Sequence, residues 1–378
     1  MRSDVLIIGA GVIGLSIARE LRKRGAGNIT VLEKGRAGRE ASWAAAGMLA
    51  PQAETDAIDN FYELCSESRD LYPEFADQLL EETGVNIELD RSGTLYLAFT
   101  DEDVEAIEGR FTWQRCAGLS VESLSATECR VLEPGIWESV KGGLLFANDW
   151  QVENRKLVEA LIEFSRISEL EIIENTTVTD LAIDGNKISG ARTSDGQFFA
   201  AGAVVLATGA WTSLIKIGEL ALPVHVKPIR GQMICFQQSE RRFQRVIYSP
   251  RAYIVPRTDG RLLVGATVED VGFDTSNTME GIDALKANAV EIAPSLADRR
   301  VSQEWAGLRP FAMDGLPLIG RFPNVGNLFL ATAHYRNGIL LAPLTAKLVA
   351  ESIVSGRDNS LLEPFGPQRF LGRTINVI

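Results

Sequence analysis

The stretch from Asp4 to Gly25, DVLIIGAGVIGLSIARELRKRG, constrains this chain more than any other. Val5 to Ile8 are β-branched or aliphatic and read as a buried strand, whereas Leu15, Ala18, Leu21 and Ala26 recur at helical spacing. Between the two, Gly9, Gly11 and Gly14 spell G-x-G-x-x-G. The first glycine permits a turn too tight for a Cβ, the second lets backbone approach a pyrophosphate, and the third lets helix pack closely on strand. A helix that starts there turns unpaired N–H groups and the positive end of its dipole toward phosphate. A second strand, NITVLEKG, ends at Glu33, 19 positions after Gly14, where a carboxylate can accept the hydroxyls of an adenosine ribose. This βαβ start predicts an α/β protein with a Rossmann-like domain holding an ADP moiety. By itself it does not choose between NAD and FAD.

Two later stretches make that choice. REASWAAAGMLAP, residues 39 to 51, carries five alanines and one glycine, the small side chains expected where backbone must approach an extended ligand. AGAVVLATGAW, residues 201 to 211, reads as a buried strand, Ala203 to Leu206, that ends in Ala207-Thr208-Gly209. Together they resemble the two-part signature of FAD-binding flavoproteins.

With 378 residues and 46% hydrophobic content the chain can build two domains around substantial cores. A formal net charge of −12, with no basic block to offset it, argues against nucleic acid or an anionic membrane surface as partner. Cys65, Cys116, Cys129 and Cys235 stand apart without a CxxC pair, so neither a disulfide framework nor a zinc site is expected and a reducing cytoplasm fits best. The only histidines are His225 and His334, too few for a histidine-rich centre, so no metal is expected. The apolar run Val5 to Ala18 is broken by three glycines and is shorter than the ~20 residues of a membrane helix. It is read as a folded, retained segment without membrane insertion. The sequence is silent on oligomeric state and leaves a homo-oligomer open.

Beyond residue 55 one helical stretch through Gly84 places Phe61, Leu64, Leu71, Phe75, Leu79 and Leu80 on a stripe. A helix over Asn154 to Ile167 leads into hairpin strands punctuated by Asp184-Gly185-Asn186 and Asp195-Gly196. Residues 222 to 275 are strand-rich, Met279 to Ala293 reads as a helix, and the tail from Asn327 reads as strand, loop and helix with Gly356 as a stop. The expected organisation is an FAD-binding domain of the glutathione-reductase type, 1–85 with 149–219 and 302–365. It is interleaved with an antiparallel-sheet substrate-binding domain, 86–148 with 220–301.

HYRNGILLAP, residues 334 to 343, drives Arg336 into what reads as the buried start of an apolar helix. A guanidinium taken out of water costs several kcal/mol unless an anion pairs with it. An acidic chain that binds a small anion does so through a few local arginines, and Arg336 is the prime candidate.

The N-terminal GxGxxG, ASWAAAGML, VVLATGAW, WAGLRPFAMDGLPLIGR and HYRNGILLAP together resemble the D-amino-acid oxidase superfamily of FAD-dependent oxidoreductases, and within it the glycine oxidases of thiamine biosynthesis. The resemblance spans nearly the whole chain. It implies that Val12, Ile13, Glu33, Lys34, Ala41, Ser42, Ala46, Gly47, Met48 and Val178 line FAD, with Gly9, Gly11 and Gly14 at the turn. His334, Tyr335, Arg336, Asn337, Gly338, Ile339 and Leu340 would border the isoalloxazine ring. Arg336 would clamp a substrate carboxylate, Tyr253 would hydrogen-bond to it, and Arg309, in a loop-like GLRP, would lie beside it. The implied reaction oxidises glycine, sarcosine or D-alanine by hydride transfer, with molecular oxygen as acceptor and glyoxylate, ammonia and hydrogen peroxide as products. A D-amino-acid dehydrogenase with a quinone acceptor and a non-catalytic flavin-binding subunit are the alternatives. No cysteine follows Cys235, so FAD is expected to be non-covalent. Val268 stands where some glycine oxidases are expected to carry methionine, implying room for slightly larger substrates, and Trp43 stands where a small polar residue is expected.

Overall fold

The structure, a computed structural model, describes residues 2–218 and 220–370. Glu219, where the sequence suggests a domain boundary, lies outside the described residues. Two large sheets organise the chain. In the first, strands Leu328–Thr332, Phe198–Leu206, Arg2–Ile8, Ile29–Leu32 and Glu171–Ile173 run parallel in that order. Parallel strands are covered on both faces, which is why their sequences (VLII, ITVL, VVL, LFLAT) are continuously apolar. Side chains still alternate: Val5 and Ile7 enter the core beneath the helices, whereas Leu6 and Ile8 enter a second core on the opposite face. The hairpin Val178–Asp184 and Lys187–Thr193 pairs with the first half of Phe198–Leu206, and Leu328–Thr332 pairs with the second half.

Helices Val12–Lys23, Asn154–Ile167 and Gly338–Ser355 bury their apolar stripes against this sheet. Gly338–Ser355 is long and apolar enough to cross a membrane, yet most of it is buried inside the protein. Pro343 sits inside it and has no N–H for the carbonyl of Ile339. The Tyr72 hydroxyl donates to that carbonyl instead, and the Ser68 hydroxyl donates to Leu340 O at 2.7 Å. Those two residues come from the stretch read as a single helix. It is two, Asn60–Asp70 and Tyr72–Thr83, divided at Leu71 ahead of Pro73 and ended by a left-handed Gly84. Leu80 leaves the expected stripe and is exposed.

The second sheet orders Val301–Ala312, Val226–Gln237, Arg261–Gly265, Tyr253–Pro256, Val246–Tyr248, Thr94–Ala98, Gly142–Phe146 and Glu122–Ser125. All its pairings are antiparallel except Val246–Tyr248 on Thr94–Ala98. GLRP is therefore strand and not loop. Pro310 faces Pro228 in the register, and Pro310 O accepts from Tyr335 N on the far side, so the two prolines sit where the strands exchange no hydrogen bonds and neither missing N–H interrupts the pairing. A boundary between 301 and 302 would cut Val301–Ala312 from a partner that it follows along its whole length. We propose that the substrate unit extends to Ala312 and that the nucleotide unit resumes at Leu318.

Candidate active site

A cleft with a volume of about 560 Å³ lies between the two sheets and collects the candidate residues. Its nucleotide end is made largely of backbone. A Cβ on Gly9, which has φ +105°, would lie 2.4 Å from Ala207 O, and one on Gly14 would lie 1.9 Å from Gly9 O. These glycines lock strand, turn and helix together. Gly14 consequently packs behind the cleft and does not line it, whereas Gly9 and Gly11 do. Gly11 is the N-cap of its helix but has no side chain to cap with; the Ser42 hydroxyl accepts from Val12 N at 2.9 Å.

Glu33 is buried, and its two carboxylate oxygens accept from Ala10 N at 2.8 Å and Gly35 N at 3.0 Å. Each oxygen keeps a second lone pair for a ligand hydroxyl. Beside it, Lys34 Nζ lies 2.5 Å from Glu40 and 3.7 Å from the centre of the Trp211 ring. Ile13, Ala41, Ala46, Gly47, Met48 and Val178 also face the cleft. Trp43 does not: its ring packs edge-on against Trp305, under the guanidinium of Arg155.

Farther along, the chain from Ala333 to Asn337 bends sharply before the helix begins. Ala333 and Tyr335 are left-handed, with φ of 58° and 48°, a conformation costly for residues with a Cβ. Tyr335 N donates to Pro310 O at 3.0 Å and Asn337 N donates to His334 O at 2.8 Å, which holds the bend. His334 is buried with Nε2 hydrogen-bonded to Thr345 Oγ1 at 3.1 Å, and burial pushes its pKa down to about 3. The imidazole is neutral. His334 to Ile339 line the cleft, but Leu340 does not: helical rotation of about 100° per residue carries it into the core, where it is 1% exposed.

The bend delivers Arg336 to the cleft's other end. The expected burial is wrong, because its side chain is 41% exposed. Nor is the guanidinium without a protein mate: Nη2 lies 3.5 Å from Glu54 Oε2. Glu54, then burial against it, then Tyr248 and Tyr335 set the Arg336 pKa, which is raised. A cation at the edge of a cleft draws the nearest carboxylate, and a contact of this length is far from a bidentate clamp.

Tyr253 and Arg309 complete this end. The Tyr253 hydroxyl contacts Met233 Sδ at 3.3 Å in space kept clear by Gly265, where a Cβ would lie 2.5 Å from that oxygen. Burial raises the phenol pKa. The Arg309 guanidinium lies flat on Gly231, where a Cβ would come within 2.2 Å, and donates to Thr267 O at 3.0 Å and Arg230 O at 3.3 Å. Among the described residues no carboxylate is within 4 Å of it. The structure thus brings Arg336, Tyr253 and Arg309 into one cleft, with Val268 exposed at its rim. Glu54 and Tyr248 also line it and had not been singled out from the sequence.

The cleft suits an extended nucleotide. One end has a buried acceptor at Glu33, and its walls include bare backbone: a Cβ on Gly209 would meet nothing within 4 Å, and one on Gly338 nothing nearer than 3.7 Å. Comparison with known proteins agrees. The model of the FAD dependent oxidoreductase family, DAO, matches residues 4–352, and the chain belongs to that family.

The chain is 36% identical over 360 residues to the glycine oxidase of Pseudomonas aeruginosa, covering 95% of this chain and 96% of that one. To the bifunctional protein ThiO/ThiG of Synechocystis it is 40% identical over 378 residues, 98% of this chain but 55% of the relative, so it spans about half of that protein. The crystal structure of glycine oxidase from Geobacillus kaustophilus matches with a TM-score of 0.90 at 34% identity, covering 97% of this chain and 98% of that one. The protein is an FAD-dependent oxidoreductase.

Proposed function

We propose that this enzyme oxidises glycine and other small amines such as sarcosine and D-alanine, forming an imine that water converts to glyoxylate and ammonia. When bound, FAD would supply the acceptor for the α-hydrogen and its bonding electrons, with oxygen as the final oxidant and hydrogen peroxide as its product. Gly9, Gly11, Val12, Ile13, Glu33, Lys34, Ala41, Ser42, Ala46, Gly47, Met48 and Val178 hold the nucleotide, and His334 to Ile339 border the reacting end. No cysteine is among the described residues lining the cleft, which supports non-covalent attachment.

The observation that carries this reading is the partly exposed Arg336 guanidinium facing a cleft that also holds Tyr253 and Arg309. The planar fork of Arg336 matches a carboxylate, and a small amino acid offers few other handles by which its α-carbon can be oriented. The N-terminus of the helix Gly338–Ser355 adds its positive dipole end, which favours negative charge developing in the cleft. The match to ThiO/ThiG supports a place in thiamine thiazole synthesis. Four free cysteines support a reducing cytoplasm.

Anaerobic mixing of the holoenzyme with glycine tests the reading: the yellow chromophore bleaches, and under air peroxide accumulates. Failure of glycine, sarcosine and D-alanine alike to bleach it overturns the assignment.

A further inference from the structure

One polar side chain in the cleft has no task in the reaction as described. Glu54 stands on the turn 51–54 that follows the short strand Met48–Leu49. Its side chain is 11% exposed and, among the described residues, receives no hydrogen bond; its only ionic contact is the 3.5 Å approach to Arg336.

The turn beneath it is held firmly. Asp149 accepts from Gln52 N at 3.1 Å and from Ala53 N at 2.7 Å, both in the core. Gln52 Nε2 donates to Gln114 and to Ser120 O at 3.1 and 3.0 Å, and Arg110 donates to the carbonyls of Gln52 and Thr55. The backbone on either side of Glu54 is thus tied down from behind while its carboxylate stays in the cleft with its lone pairs open.

A pair built only for stability would use both carboxylate oxygens at short distance and cover both partners. This one leaves the cation accessible. Burial raises the Glu54 pKa while Arg336 and Arg309 oppose it.

We propose that Glu54 recognises the substrate's amino group, so that the site reads both ends of an amino acid: Arg336 takes the carboxylate and Glu54, released from Arg336 by that exchange, takes the amine. The inference rests on the amino-acid reading above and adds a specificity-determining residue to it. Simple carboxylates satisfy half the site, and Glu54 is then left beside an anion.

The test uses the Glu54→Gln holoenzyme, with glycine KM from peroxide formation and acetate affinity from the flavin absorbance. Glycine KM rises by roughly 30-fold, the range of a lost charged hydrogen bond, while acetate binds as well as before or better. Equal weakening of both ligands assigns Glu54 to shaping Arg336 alone and overturns the proposal, as does no change in either. Should Glu54→Gln fail to retain FAD, Glu54→Asp replaces it. The shorter carboxylate weakens glycine binding while leaving acetate unaffected, and a parallel loss of both again overturns the proposal. Bleaching of the wild-type enzyme by glycine scores the reaction separately from the role of Glu54.

Discussion

At the nucleotide end of the cleft, Gly9, Gly11, Gly14 and Glu33 belong to one βαβ unit and present mainly backbone. At the arginine end, Glu54, Tyr253, Arg309 and Arg336 come from four distant segments and present side chains. The first end is made by close approach of main chains, which at Gly9 and Gly14 leaves no room for a Cβ. The second is made by charged and phenolic side chains that turn toward the cleft, each held by a different part of the fold. Substitution should therefore fail differently at the two ends: by loss of the cofactor at the first, by loss of substrate with the cofactor retained at the second.

The largest effect is expected at Gly14. A Cβ there would sit 1.9 Å from Gly9 O, and both atoms belong to packed backbone that cannot yield by rotating a side chain. Gly14→Ala should cost about 3 kcal/mol, the upper end for overpacking, and yield protein without bound flavin. The ratio of 450 nm to 280 nm absorbance and a thermal melt measure this. A yellow Gly14→Ala protein with an unchanged Tm would remove the basis of the comparison.

Arg336→Lys probes the other end. It keeps the charge and loses the planar fork, so the flavin spectrum should be unaltered while kcat/KM for glycine falls by about 100-fold. Loss of flavin in this variant would mean that the two ends are not separable.

The same contrast explains what the sequence made legible. The nucleotide end repeats its chemistry at fixed short spacing, so the glycines, Glu33 and the helices Asn154–Ile167 and Gly338–Ser355 can be read directly. Pattern cannot say which side a helical residue faces after a sharp bend, so the sequence points Leu340 at the cleft although it lies in the core. Arg336 reads as buried because apolar neighbours follow it; those neighbours begin the helix, while the left-handed turn at Tyr335 sends the arginine elsewhere. Glu54 left no local trace. An acidic residue in a polar turn reads as solvated, and it enters the cleft only because Asp149, remote in sequence, grips the two residues before it. Arg309 looks like loop because Pro310 follows it; strand is compatible there because the pairing puts Pro310 where the two strands exchange no hydrogen bonds.

The smallest effect sharpens the comparison at the point where the two ends meet, and it concerns pH. Burial holds the His334 pKa at about 3, well below the ordinary histidine value of 6.5. Below the unfolded value the unfolded chain takes up a proton that the folded protein refuses, so the stability due to neutral His334 is complete above about pH 6.5 and declines as pH falls toward 3. For one group the decline approaches about 1.4 kcal/mol per pH unit. His334→Gln keeps a polar partner for Thr345 and cannot titrate. The variant should be less stable than wild type at pH 7.5 and lose less stability between pH 6 and pH 4.5, as measured by urea unfolding. Identical slopes for the two proteins would show that the imidazole becomes protonated inside the fold, and with it that the bend carrying Arg336 has more access to water than its burial implies.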